Sequence, residues 1–410
     1  MNGLSNRNLP MGSCGDQGMK ISKRVVSILT CAAILYCGLS CVSEAPISDA
    51  VKLSAIGGFL LLALMIWLLE LKRDGAAKKS KSDKTNFDWG MHYFRAFAIL
   101  MIMATHYASR FGYSRFCDTF LSSSTIYFLF ISGYLCQYID CRRRDTPLAY
   151  YRKKLLNVIC PFVLFSIVFL YARHALCGIG SIRDVLLGRA QVPYWYIPFV
   201  SLLFAISPLL CRMRNGLLLS VFGISAFMFV VFPFRPGTVF NLSWPYTFYL
   251  YSYFSVFYVL GFVYCRFKDP VDRWINSRLN LLLFVGGGIV SAILLWDPNV
   301  LGVSCFSRGL VVGAQRSCVL AVFLILLGHL RTRKIRLLDW LAQYSFTLYF
   351  IHFGLFARTG RFHDVLISYI PLPVIAADCV VFCIYLAGML FSAMVFKNVL
   401  GRHSRMLLGT

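Results

Sequence analysis

Long apolar segments recur along this chain of 410 residues, and each is long enough to cross a bilayer as an α-helix. A spanning helix needs roughly 20 predominantly apolar residues. The composition agrees, because 58% of the residues are hydrophobic, 14% are charged and the mean hydropathy is +0.68. We predict an all-α polytopic membrane protein with about twelve transmembrane helices, near residues 25–42, 53–71, 92–110, 119–139, 156–172, 194–211, 216–233, 247–265, 279–296, 313–330, 340–357 and 373–395.

The basic residues are distributed unevenly between the loops. The chain carries 41 Lys and Arg residues and a formal net charge of +24, which in a soluble protein would suggest a nucleic-acid partner. Here they concentrate in alternate loops, above all Lys72–Asp88, Asp140–Leu155 and Arg331–Asp339. Cytoplasmic loops retain Lys and Arg, so the pattern predicts a multi-pass protein of the cell membrane with both termini in the cytoplasm. No nucleic-acid partner is expected.

Two parts of the chain differ in their organisation. Residues 1–88 contain two predicted spans and a basic linker, and we interpret them as an N-terminal extension. Residues 89–410 contain ten predicted spans and form the core domain. The first span has a second interpretation, because three basic residues precede the apolar segment Val25–Ser40 as they would in a signal peptide. Under either interpretation, the residues that follow this segment lie on the outer side of the membrane.

Arg95 and His106 share one predicted span, although ionisable side chains at membrane depth are costly and mark function by default. Eleven residues of α-helix return almost to the same face after three turns, about 16 Å along the axis. A cation at one end of this face suits the phosphates of a long ligand. An imidazole at the other end suits general acid–base or nucleophilic chemistry.

The Arg-x10-His spacing resembles the signature of the acyltransferase-3 family of integral membrane enzymes, of the surface polysaccharide O-acetyltransferase type. Four further segments resemble family elements and follow in the same order, namely Phe130–Gly133, Tyr151–Lys154 with the later Pro161, Tyr194–Ile197 and Tyr349–His352. Each short element alone is weak. Five elements in one order over ten spans favour membership of the family.

The resemblance implies a membrane-bound O-acyltransferase. It would move an acyl group, most simply acetyl, from cytosolic acyl-CoA to a hydroxyl group of a surface glycan or lipid-linked saccharide. Acyl-CoA is then a co-substrate, and neither a bound cofactor nor a metal is expected. The residues expected to bind the donor are Arg95, Arg152, Lys153 and Lys154, and those expected to bind the acceptor are Trp195, Tyr196 and Ser132.

His352 and Asp378 complete the expected catalytic group with Arg95 and His106. The two histidines lie at similar depths from the predicted outer ends of their spans, and Asp378 is the acid that falls within the predicted core spans. A carboxylate beside an imidazole would set its tautomer and raise its basicity, as a general base requires. Asp378 could instead face His352 for packing only.

Structural explanations remain open for several of these residues. His352 could serve only as an interhelical hydrogen-bond partner, and Ser132 with Gly133 could serve only to let helices approach. Trp195 could be an interfacial anchor, and the basic residues 152–154 could determine topology alone.

Two other classes of protein share a layout of about twelve spans. A secondary transporter is the first alternative, yet the chain shows no division into two repeated halves. A glycan flippase is the second, but the predicted outer loops are short. An acyltransferase remains the favoured interpretation.

Overall fold

The computed structural model describes residues 88–113, 116–121, 124–140, 147–172, 184–231, 246–296, 305–331, 334–370 and 372–401, together with positions 182, 404 and 407. The two predicted spans of the extension, and the question of a signal peptide, lie outside the described residues. The described chain is helical and contains no strand, so the predicted all-α class is confirmed. Residues 153–401 pack with 88–140 in one compact unit, whereas 147–152 fall outside that unit.

Thirteen α-helices follow one another in the described residues. They are α1 (Trp89–Arg110), α2 (Thr125–Leu135), α3 (Pro147–Lys154), α4 (Cys160–Ala172), α5 (Tyr196–Arg212), α6 (Asn215–Val231), α7 (Tyr246–Arg266), α8 (Lys268–Ile275), α9 (Arg278–Trp296), α10 (Cys305–Gly328), α11 (Arg336–Arg358), α12 (Gly360–Tyr369) and α13 (Val374–Leu400). Single π-helical turns precede α2 and α4 and follow α2. A helix therefore occurs at each of the ten predicted core spans.

Six helical segments are long and apolar enough to cross a membrane, or up to seven if the bent pair α7 and α8 forms one span. The six are Thr119–Ile139, Leu148–Ala172, Val192–Arg212, Arg278–Trp296, Leu310–Gly328 and Val374–Leu400. Helices α1 and α11 have 22 and 23 residues, which is sufficient length, but both carry charged and polar side chains. The count of twelve spans stays a prediction.

Helices α1 and α11 lie side by side and run parallel. Their polar contacts advance in the same direction along both helices, from His92 with Asp339, through Arg95 with Ser345, to the contact between His106 and His352. Asp88 caps α1, because its Oδ1 accepts a hydrogen bond of 3.1 Å from the Met91 backbone N–H. We call the interface that carries these three contacts the polar seam.

Helix α2 packs closely against α7 at two glycines. A β-carbon on Gly133 would overlap the backbone of Tyr258, and one on Gly261 would overlap the backbone of Phe130. Only glycine permits this approach, which is the small-residue packing expected of membrane helices. Ser132 precedes Gly133 and therefore lies beside this close contact.

Ion pairs gather near the N-terminal end of α1. Lys268 pairs with Asp88, and Arg331 pairs with Asp272. Burial disfavours the charge of Arg331, but the hydrogen bond and the charge of Asp272 outweigh it and raise the pKa of Arg331. These contacts tie α1 to α8 and to the segment after α10, so this end of the polar seam is anchored by charges.

Candidate active site

His106 and His352 meet across the interface between α1 and α11. Their ring centroids are 5.3 Å apart, and the ring of Phe353 packs edge-on against His106, also at 5.3 Å. His106 is partly exposed, whereas His352 has no exposed surface. The two imidazoles therefore form a pair with one buried member and one accessible member.

His352 has a defined hydrogen-bonding state. Its Nδ1 lies 3.0 Å from the carbonyl oxygen of Leu348, one helical turn earlier on α11. A carbonyl oxygen can only accept, so Nδ1 carries the proton, and a neutral imidazole then has a bare lone pair on Nε2. This Nε2 is buried and has no hydrogen-bond partner among the described residues. Such a group in a native structure requires an explanation.

Arg95 lies on the face of α1 that carries His106, because both side chains contact α11. Its Nη2 donates a hydrogen bond of 3.2 Å to Ser345 Oγ, and that hydroxyl donates in turn to the Ala342 carbonyl at 2.9 Å. Three helical turns separate Arg95 from His106, which corresponds to about 16 Å. The cation and the imidazole pair therefore occupy two separate positions along one seam.

Ser132 and Tyr196 approach the histidine pair through aromatic contacts. The two hydroxyl oxygens are 3.2 Å apart, and the ring of Tyr196 packs at 5.8 Å against Tyr349, whose ring lies 6.1 Å from His352. Tyr194 donates a hydrogen bond of 2.8 Å to the Phe350 carbonyl and so fixes the turn before α5 on α11. Ser132 and Tyr196 thus lie one aromatic layer from the pair.

Trp195 and Lys154 pack against aromatic rings other than those of the histidine pair. The ring of Trp195 packs against Phe254 at 5.4 Å, and the ammonium group of Lys154 lies 4.5 Å from the ring centre of Phe204. Arg152 and Lys153 lie on α3 beside Lys154. The structure therefore brings Arg95, His106 and His352 to the interface of α1 and α11, with Ser132 and Tyr196 one aromatic layer from the histidines, whereas Trp195 and Lys154 contact aromatic side chains of α5 and α7.

The acyltransferase domain profile of the acyltransferase-3 family matches residues 88–399. The chain belongs to this family. Neither a curated protein nor a solved structure matches it. As an acyltransferase-3 protein it is a membrane enzyme that transfers acyl groups other than amino-acyl groups. The matched region begins at the residue that caps α1 and covers every residue of the polar seam.

Asp378 of this acyltransferase contacts a different imidazole from those that the sequence analysis paired with it. His363 Nε2 donates a hydrogen bond of 2.8 Å to Asp378 Oδ1, Tyr107 donates to the same oxygen at 3.1 Å, and Tyr113 donates to Oδ2. The hydrogen bond to Asp378 is the main reason that the pKa of Tyr113 is raised to about 12. Helix α12 carries His363 back towards α1, which explains the difference.

Sequence reasoning did not identify His363, Ser345 or the Leu348 carbonyl as partners of the site. His363 lies in the predicted loop between the spans that carry His352 and Asp378, 11 residues after the first and 15 before the second, and this proximity in sequence was the available signal. Ser345 and the Leu348 carbonyl carried no signal, because serine and backbone groups occur throughout membrane helices.

Proposed function

We propose that this acyltransferase moves an acetyl group from cytosolic acetyl-CoA to a hydroxyl group of a surface glycan or a lipid-linked saccharide. The observation that carries the proposal is the polar seam between α1 and α11, with a guanidinium at one position and two imidazoles at another. The family supplies the reaction class, and the seam supplies groups suited to both ends of a long anionic donor.

Arg95 is suited to the donor's phosphate groups. A guanidinium presents five N–H donors in a planar fork, and charge-assisted hydrogen bonds to phosphate are among the strongest in proteins. The bond to Ser345 holds this fork in place. The separation of about 16 Å between Arg95 and His106 is comparable to the reach of a pantetheine arm, so the thioester would lie near the histidine pair.

His106 is suited to the transfer step because it is the accessible imidazole of the pair. A ring nitrogen of His106 takes the proton of the acceptor hydroxyl as the oxygen attacks the thioester carbonyl. A C–O bond forms, the C–S bond breaks, and the departing sulfur of coenzyme A takes the proton from His106. The products are the acetyl ester and free coenzyme A, and His106 returns to its neutral form.

The acceptor side rests on Ser132 and Tyr196. Their hydroxyl groups lie close to one another and one aromatic layer from His352. Hydroxyl groups beside aromatic rings are suited to sugars, which combine polar edges with apolar faces. Trp195 lies next to Tyr196 in the chain and is proposed to contact a more distant part of a glycan.

The experiment is transfer of radiolabelled acetyl from acetyl-CoA by the purified full-length protein in lipid nanodiscs, with lipid-linked saccharide extracted from cells that lack the protein. Base-labile label on saccharide is expected for wild type and for His329→Ala, an exposed histidine outside the seam, but not for His106→Ala. Label transport or saccharide translocation without ester formation would contradict the proposal and favour a transporter or flippase.

A further inference from the structure

The unpartnered Nε2 of His352 points to a hydrogen bond that completes the histidine pair. This nitrogen is fully buried, and its lone pair can accept but not donate, since the proton of the ring is on Nδ1. A ring N–H of His106 is a suitable donor, because the His106 and His352 rings are in contact, with 5.3 Å between their centroids. The ring orientations in the structure do not form this hydrogen bond, and a rotation of the His106 imidazole about its Cβ–Cγ bond would direct an N–H group towards His352 Nε2.

We propose that His352 is a positioning residue that sets the tautomer of His106. In this chain of hydrogen bonds, His352 Nδ1–H donates to the Leu348 carbonyl, and His352 Nε2 accepts from one ring N–H of His106. The other His106 nitrogen then has its lone pair directed to the acceptor hydroxyl. This proposal rests on the proposed function, since it assigns a role within the same transfer step.

The neutral character of His352 suits its location. The hydrogen-bond acceptors of Asp378 are occupied by Tyr107, Tyr113 and His363, and no described carboxylate hydrogen-bonds to His106 or His352. Burying an unpaired charge within a membrane bundle is costly. A neutral His352 can set the tautomer of His106 without introducing such a charge. The Leu348 carbonyl accepts the hydrogen bond from His352 Nδ1 in the place where a carboxylate would otherwise accept it, and it does so without burying a charge.

The proton balance of the transfer step is unchanged by His352. His106 gains a proton from the acceptor hydroxyl and returns it to the coenzyme A sulfur, while its other N–H remains bonded to His352 Nε2. A residue that stays neutral can provide this orientation, which matters because the wrong tautomer of a general base presents a proton where a lone pair is needed. His352 therefore acts through His106 and does not touch the acetyl group.

Two substitutions at His352 separate this role from packing. His352→Phe keeps a ring but removes the acceptor, whereas His352→Gln offers an amide oxygen that can accept from His106. We expect His352→Phe to lower kcat about 10²-fold or more, with KM for acetyl-CoA unchanged, and His352→Gln to recover a clear part of the loss. His329→Phe is the matched control at an exposed histidine and is expected to behave as wild type.

The wild-type protein provides a measurement that does not depend on how the variants fold. Nitrogen NMR of protein labelled at histidine distinguishes a protonated from an unprotonated ring nitrogen, and His106→Gln assigns the remaining signals. Protonated Nδ1 and unprotonated Nε2 at His352 are expected. The reverse tautomer would overturn the proposal, as would wild-type kcat in His352→Phe or equal loss in His352→Phe and His352→Gln. Inactive wild-type protein would instead contradict the proposed function.

Discussion

Two histidine clusters lie near the C-terminal end of α1, and they differ in how far their polar atoms are satisfied. His363 is bonded to Asp378, whose carboxylate also accepts from Tyr107 and Tyr113. His352 has one bonded nitrogen and one buried nitrogen without a partner. His106 and Tyr107 are adjacent in the chain but belong to different clusters, because His106 contacts His352 and Tyr107 contacts Asp378.

The difference indicates different roles for the two clusters. A fully bonded buried network rigidifies the structure around it, and His363 also stacks on Phe111 with 3.6 Å between ring centroids. A buried polar atom without a partner is costly to stability, and a catalytic role is one reason for retaining it. We therefore propose that the Asp378 cluster serves stability and that the His106–His352 pair serves catalysis.

The largest expected effect is on catalysis at His106. His106→Ala should lower the rate of transfer about 10²–10⁴-fold, because a general base is lost. The amount of the His106→Ala protein in the membrane should stay near that of wild type, because the loss of one interhelical hydrogen bond costs only on the order of 1 kcal/mol of stability. Transfer rate per molecule of purified protein is the measurement. His106→Gln can hydrogen-bond but cannot take a proton, so an active Gln variant would assign this cluster to stability as well.

Arg95 should show an effect on donor binding that the histidines do not. Arg95→Ala should weaken the apparent affinity for acetyl-CoA roughly 10- to 100-fold, as expected for loss of hydrogen bonds to a charged group. Arg95→Lys should recover part of it, because charge is kept and the planar fork is lost. Calorimetric binding of acetyl-CoA should be nearly normal in His106→Ala.

A truncated donor supplies the control for Arg95. Acetyl-pantetheine lacks the nucleotide phosphates, so wild type should use it poorly and Arg95→Ala should use it about equally poorly. If Arg95→Ala loses the same factor with both donors, Arg95 does not bind phosphate, and its bond to Ser345 serves the helix pair instead.

Asp378 should affect stability more than catalysis. Asp378→Ala removes the acceptor for three buried or partly buried donors, and we expect a loss of about 2–4 kcal/mol in the free energy of unfolding. Thermal midpoint in detergent and transfer rate per folded molecule are the two measurements. If Asp378→Ala has the thermal midpoint of wild type and a transfer rate as low as that of His106→Ala, the two clusters do not differ in role.

Removal of the N-terminal extension should have the smallest effect. Both clusters and the family match lie within residues 88–399. A chain that begins at Lys78 retains four lysines before α1 and keeps Asp88, which caps α1 and pairs with Lys268. Membrane insertion and most of the transfer activity should remain. Loss of both would show that the extension is part of the core.

The sequence by itself determined the helices and the shared face of Arg95 and His106. Apolar length sets where helices form in a membrane protein, because backbone hydrogen bonds must be satisfied within each segment. The eleven-residue spacing sets the shared face, because both residues lie in one uninterrupted helix. Each of these inferences depends only on residues close together in the chain.

The tertiary structure alone decided the partners of those residues. Asp378 was expected beside His106 or His352, but α12 places His363 at its carboxylate. The partner of Arg95, Ser345, lies 250 residues away, and the state of His352 depends on a backbone carbonyl that no side-chain pattern reveals. Helix pairing in membranes depends on packing and on single hydrogen bonds between distant segments. Local periodicity therefore determines which face of a helix is polar, and only the assembled bundle determines what that face meets.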